Sequence, residues 1–145
     1  TRLTIIIADI DRFKPINDTY GHLAGDAYLR KLANILSRIF RRETDFVARY
    51  GGEEFVFLLE NIDRDTAIAL AEEVRSEVEK MTLIHYQHQI QTTVSLGISS
   101  CIPGAEDKKD RLFEKADMAL YQAKNSGRNQ VVYLEGGLDA GGVRG

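Results

Sequence analysis

The sequence predicts an α+β domain with a ferredoxin-like βαββαβ core, a mainly antiparallel central sheet flanked by helices, and an extra C-terminal helix and short strand. Three observations carry this. Leu3 to Ile10 is almost wholly apolar and rich in isoleucine, as suits a central strand covered on both faces. Three later stretches, opening near Asp26, near Asp63 or Asp65, and near Lys108, repeat apolar residues at helical spacing. Short strand-like segments lie between them, giving the element order of the ferredoxin-like arrangement.

The first strand ends in Asp9-Ile10-Asp11, and Arg12 to His22 reads as a polar connection of the length associated with function. Asp26 reads as a helix cap. The helix after it turns Leu29, Leu32, Ala33, Leu36, Ile39 and Phe40 inward, with Arg41 and Arg42 in its last turn, where cations suit the dipole. Thr44 to Tyr50 and Phe55 to Leu59 read as strands. Gly51-Gly52 between them reads as a two-residue type I′ turn, because both of its central positions need positive φ. The next helix buries Ala67, Leu70, Val74 and Val78 and solvates Glu72, Glu73, Glu77 and Glu79.

Met81 to Tyr86 and Gln89 to Cys101 read as two strands, the second long, with Gly97 at a bulge. His85 and His88 are isolated from other ligands and read as surface or half-buried histidines. Pro103-Gly104 turns the chain. The last helix runs from Lys108 to Asn125, with Leu112, Ala116, Ala119, Leu120 and Ala123 inward and Gly127 at its stop. Val131 to Tyr133 is a short final strand. Residues 136–145 hold five glycines and no periodicity, so the expected division is one domain over 1–135 and a flexible Gly-rich tail over 136–145.

Composition narrows the function. At 145 residues, 43% hydrophobic and 28% charged, the chain is long enough for one ordinary globular core. A net charge of −3 leaves no general nucleic-acid footprint. The longest apolar runs are too short to span a bilayer, so no membrane contact is expected of this domain. The single cysteine, Cys101, forbids an intrachain disulfide and fits a cytoplasmic setting. The chain opens inside a strand without a leader, which reads as a piece of something longer.

The chemistry centres on Gly51-Gly52-Glu53-Glu54. Neighbouring residues on a strand face opposite ways, so Glu53 and Glu54 cannot do the same job. In the predicted topology the first and third strands are neighbours, which sets Asp9 beside Glu53. Asp9, Glu53 and Glu54 then converge in the palm-like layout used for two-metal nucleotidyl transfer, with hard oxygen donors suited to Mg²⁺. The bland alternative is a solvated hairpin end. There is no GxxxxGK[ST] and no GxGxxG to offer a rival phosphate cradle.

Four stretches extend the pattern: ADIDRFKPINDTYGHLAGD (Ala8 to Asp26), RRETDFVARYGGEEF (Arg41 to Phe55), TTVSLGIS (Thr92 to Ser99) and ADMALYQAKNSGRN (Ala116 to Asn129). Through them the chain, from about Leu3 to Tyr133, resembles the GGDEF-domain family, the diguanylate cyclases, in its GGEEF variant. The family's upstream segment, an extended leader ending in an asparagine-arginine pair, does not occur here.

The resemblance implies condensation of two GTP into cyclic di-GMP with release of two pyrophosphates, as the output of a bacterial signalling protein. It implies that Asp9, the main-chain carbonyl of Ile10, Glu53 and Glu54 hold Mg²⁺, as two ions with Mn²⁺ as a substitute, Glu54 joining the site or acting as base. Lys14 would neutralise phosphate charge. Asn17 and Asp26 would read guanine, whose N1–H and N2–H₂ suit a carboxylate acceptor. Phe13, His22, Gly51 and Gly52 would line the GTP site, and Lys124 and Arg128 would bind terminal phosphates. Each domain would hold one GTP, so a homodimer is required, usually driven by an upstream sensory or dimerisation domain. Arg42 and Asp45 resemble an Arg-x-x-Asp inhibitory site for the product, roughly 20 Å from the turn at about 3.3 Å per residue, with Glu73 and Arg75 as further contacts. The alternative readings are a catalytically inactive module that binds GTP or cyclic di-GMP, and a polymerase palm, which the charge disfavours.

Overall fold

The structure, a computed structural model, describes residues 2–102 and 108–135. In chain order the elements are β1 (Leu3–Ile10), α1 (Phe13–Tyr20), α2 (His22–Ile39), β2 (Phe46–Tyr50), β3 (Glu54–Glu60), α3 (Arg64–Lys80), β4 (Leu83–His85), β5 (His88–Ile90), β6 (Val94–Cys101), α4 (Lys108–Asn125) and β7 (Val131–Glu135). The main sheet has the order β2-β3-β1-β6-β7, and β4 and β5 form a separate hairpin. The α+β class, the antiparallel centre and the neighbouring first and third strands follow the sequence expectation.

Strand β1 explains the layering. It pairs antiparallel with β3 on one side and β6 on the other. Its side chains alternate between two cores. Ile6, Ala8 and Ile10 join the buried faces of α1, α2 and α3, including Ile16, Tyr28, Leu32 and Val74, together with Phe57 of β3. Ile5 and Ile7 join Leu112, Ala116 and Leu120 of α4. A strand buried on both sides is mostly apolar, which is what the isoleucine run supplies, and Thr4 and Asp9 are its buried polar exceptions.

Gly97 sits at regular register opposite Ile7 and Val132, not at a bulge. The reason for glycine here is the close approach of α4. A Cβ would lie 2.2 Å from the Leu120 nitrogen and 2.4 Å from the Ala116 oxygen. Helix and sheet therefore touch backbone to backbone, which brings the C-terminal half of α4 down onto the ends of the central strands.

Several expected elements differ. Arg12 to His22 is not an open connection. Phe13–Tyr20 forms α1, whose buried face is Phe13 and Ile16. Asp26 is not a cap, because α2 starts a turn earlier with Gly21 as N-cap. Ala33 is exposed, and Tyr28 and Ile35 take inward places instead. Arg41 and Arg42 lie beyond the end of α2. The long strand after Gln89 is two, β5 and β6, parted at 91–93 where Thr92 and Thr93 turn to bind Asp11. The β2–β3 loop has three residues, since Tyr50 pairs with Glu54, and only Gly51 has positive φ, at 78°. A two-residue type I′ turn is thereby excluded. Helix α3 is capped by Asp63, which accepts from Thr66 N at 2.7 Å. The turn expected at Pro103-Gly104 and the tail at 136–145 lie outside the described residues.

Candidate active site

Asp9 is the penultimate residue of β1 and only 6% exposed. The antiparallel register sets it opposite Glu54 on β3 and Ser95 on β6. The β2–β3 loop is tied to this point, because Ile10 N donates to the Glu53 carbonyl at 3.1 Å. Arg49 Nε donates to the Gly52 carbonyl at 3.1 Å and braces the loop from the β2 side. From α4, which packs over the sheet, Lys124 Nζ reaches Asp9 Oδ2 at 2.8 Å. The other oxygen, Oδ1, is buried without a hydrogen bond.

Burial raises the Asp9 carboxyl above the ordinary aspartate value; Lys124 opposes this and the charge of Asp11 adds to it. Glu54 is also raised, first by burial, then by the charges of Asp9 and Asp117, with Lys124 again opposing. Two carboxyls that repel each other and sit partly out of water hold protons and cations well.

The three-carboxylate convergence is not realised. Asp9 and Glu54 face each other, whereas Glu53 stands in the loop. Among the described residues no group of three His, Cys, Asp or Glu side chains is placed to hold a metal ion. Register is the cause: the partner of Asp9 is one residue later than the sequence placed it. Two carboxylates still suit Mg²⁺, which is commonly held by one or two of them, with water and substrate phosphates completing its shell. The orphaned, buried Oδ1 of Asp9 fits such a cation.

On the other side of the β1 terminus, Asn17 of α1 lies against Gly25 of α2. A Cβ at Gly25 would sit 1.8 Å from Asn17 Oδ1. Asp26, the next residue of α2, is exposed, and Asn17 is half-buried; these are the two side chains expected from the sequence to meet guanine. His22 is exposed at the first turn of α2. Phe13 is a core residue, its ring 6.4 Å from that of Tyr28, which leaves only its main chain for a ligand. Lys14 pairs with Asp18 at 3.0 Å and with neither carboxylate. Gly51 and Gly52 are exposed, with open space where a side chain would go. Arg128 is exposed in the turn after α4 with φ of 65°, and its N–H caps Ala123 O at 2.9 Å.

Arg42 and Asp45 are brought together at the opposite end of the sheet. Arg42 N donates to Asp45 Oδ2 at 3.1 Å, and Arg42 Nε lies 3.6 Å from Oδ1. The guanidinium also donates to Thr44 Oγ1 and to the carbonyl of Glu60, the last residue of β3. Asp45, Val47, Arg49 and Phe55 line part of a groove of about 380 Å³ between β2 and α2. Arg75 is bound by Glu72 and Glu79 of its own helix and does not reach toward this pair.

Asp11, Asp117 and Asn129 are not singled out by the sequence, and the structure brings them close to this strand end or to the turn after α4. Asp11 is visible in the sequence as a charge that ends a buried strand, Asp117 lies among helix-surface residues, and Asn129 carries no signal beyond its place after Arg128.

The sequence profile of the family described as diguanylate cyclase, GGDEF domain, matches residues 1–130. The chain is 43% identical over 136 residues to diguanylate cyclase A of Treponema denticola, covering 94% of this chain and 36% of that protein. It is 37% identical over 133 residues to diguanylate cyclase DgcZ of Escherichia coli, covering 92% and 44%. The chain thus spans less than half the length of these curated relatives. Its fold is similar to the crystal structure of the GGDEF domain of DgcB from Caulobacter crescentus in complex with c-di-GMP, with TM-score 0.84, 35% identity, and 92% and 78% of the chains covered. It is also similar to the active GGEEF domain of a diguanylate cyclase from Vibrio cholerae, with TM-score 0.81, 36% identity, and 92% and 83% covered.

Proposed function

The chain belongs to the GGDEF family of diguanylate cyclase domains, and on that premise we propose that residues 1–135 condense two GTP into cyclic di-GMP and two pyrophosphates, with Mg²⁺. The observation that carries this is the facing pair Asp9 and Glu54 at the ends of the central strands, with Lys124 closing on Asp9. Asp9, Glu54 and the main-chain carbonyl of Ile10 are the residues to hold the cation, with Glu53 alongside in the loop. When bound, the cation neutralises charge on the triphosphate and polarises the α-phosphate.

The chain's own residues do the rest. Asn17 and Asp26 orient guanine. Lys124 and Arg128 bind the terminal phosphates, Lys124 exchanging Asp9 for phosphate oxygen. Lys14 adds positive charge from α1, exchanging Asp18 in the same way. A carboxylate oxygen of Glu54 not engaged by the cation accepts the proton of the attacking 3′-hydroxyl. That hydroxyl belongs to GTP held by a second copy. Its oxygen forms the new bond to the α-phosphorus as pyrophosphate leaves, and the reaction repeats in the other direction. A homodimer is therefore required, and a sensory or dimerisation domain is suited to bring the copies together. GTP as substrate places the domain in the cytoplasm.

The test is pyrophosphate release and cyclic di-GMP formation from GTP and Mg²⁺ over a wide range of protein concentration. Product with specific activity rising with concentration is the expected result. GTP bound without turnover at any concentration would favour a purely regulatory module.

A further inference from the structure

Asp11 is fully buried and has no part in the roles above. Its Oδ2 accepts from Thr93 Oγ1 at 2.6 Å and from Asn129 N at 3.2 Å, and its Oδ1 accepts from Ser95 Oγ at 2.8 Å. Its carbonyl accepts from Thr92 Oγ1 at 2.6 Å, and its N–H donates to Thr93 O at 2.9 Å. A buried carboxylate is costly unless donors saturate it. Saturated here, it joins three segments at one point: the end of β1, the entry to β6 and the turn between α4 and β7.

Asn129 grips the same turn from its other side. Its φ is 50°, a left-handed conformation that asparagine tolerates better than most residues. Its Oδ1 accepts from an Arg75 nitrogen at 3.0 Å, and its Nδ2 donates to Glu79 Oε2 at 2.9 Å. The residue that follows Arg128 is thus held by α3 through its side chain and by Asp11 through its backbone.

We infer that Asp11 and Asn129 form a positioning latch that sets Arg128, and the phosphate-facing turn, at a fixed separation from the Asp9 strand end. The latch joins positions 118 residues apart in the chain. Neither residue touches the reacting atoms. Both act by holding residues that do. The inference rests on the reading of GTP as substrate.

The test compares binding of GTP and of GMP, by calorimetry with Mg²⁺, to this chain and to variants. GMP lacks the β- and γ-phosphates and does not report on Arg128. Asn129→Gly keeps the left-handed backbone and the N–H to Asp11, and removes only the side-chain grip. GTP affinity should fall about tenfold, with GMP affinity changed by less than about twofold, as a misplaced contact on the terminal phosphates requires. Asn129→Asp should also weaken GTP by setting a carboxylate against Glu79, and adding Glu79→Gln should restore it by returning a donor to that contact. Unchanged GTP affinity in Asn129→Gly, equal losses for GTP and GMP, or failure of the rescue would each overturn the latch while leaving the substrate reading in place. No preference of the unaltered chain for GTP over GMP would overturn both.

Discussion

Asp9 and Glu54 stand opposite each other across the β1–β3 ladder, two carboxylates in register at the end of a strand buried on both faces. Both carboxyls are raised first by loss of water, and the charge of Asp9 raises Glu54 further.

Asp9→Asn and Glu54→Gln should each lower cyclic di-GMP formation about a thousandfold or more while the fold persists, as loss of charge stabilisation at a reacting phosphate does. Stability should move the other way. Glu54 titrates higher folded than unfolded, so it favours the native state below its unfolded value of 4.5, and that advantage disappears as pH rises through the folded value. At pH 7.5 in EDTA, Glu54→Gln should melt at the same temperature or up to about 2 °C higher. The gain should vanish near pH 4. A clear drop in melting temperature at pH 7.5 would contradict the assignment.

Gly25→Ala should act as a remote deletion of Asn17. The new Cβ takes the place of Asn17 Oδ1, which must swing away, and it presses on Phe13 Cζ at 3.2 Å. KM for GTP should rise about tenfold, as when a substrate loses one positioning contact. Asp26→Ala should instead narrow the gap between GTP and ATP, because a site that accepts from guanine leaves an unpaired carboxylate facing adenine. Steady-state kinetics with both nucleotides distinguishes the two. A GTP preference untouched by Asp26→Ala would remove Asp26 as the base reader.

Gly97→Ala has no such escape. The atoms in the way are backbone of α4, so helix and sheet must part. The expected loss is about 3 kcal/mol in urea unfolding, at the upper end for overpacking. Activity should fall with it, since Lys124 rides on the same helix. A variant as stable as the parent would show that α4 lies farther from β6.

Product inhibition should depend on Arg42. Its guanidinium is engaged at the end of β3 farthest from the Gly51-Gly52 loop. Cyclic di-GMP bound there cannot overlap GTP, so inhibition of the parent should be noncompetitive, and Arg42→Ala should weaken it about tenfold or more, as loss of a bidentate cation does. Competitive inhibition unchanged in Arg42→Ala would place the product in the GTP site.

The framework was legible because β1 and the inward faces of α3 and α4 depend on local apolar pattern. Ile5 to Ile7, Val74 and Leu112 announce their burial. The β2–β3 register was not legible, because two glycines fit a two-residue turn as well as a three-residue loop, and one residue of slip decides whether Glu53 or Glu54 meets Asp9. Helix α1 was hidden by its polar exposed face and by Pro15, which the first turn of a helix tolerates. Gly97 misleads for the opposite reason: its cause lies in Ala116 and Leu120 of α4, 19 and 23 residues on, and nothing near it in the chain reveals the approach.

The buried Asp11 carries a consequence for the order in which the domain acquires its form. Its donors Thr93, Ser95 and Asn129 are 82, 84 and 118 positions away. The α1–α2 pair and the β2–β3 hairpin close over short spans and can arise while the rest is still being synthesised. Strand β6 must enter between β1 and β7, and only then does this carboxylate leave water. Closure over such spans is slow, because its entropic cost comes before any contact is made. Nucleotide binding should therefore return in the last refolding phase, well after the helical signal, and a nascent chain ending before Asn129 should hold much of its helix content while binding no GTP.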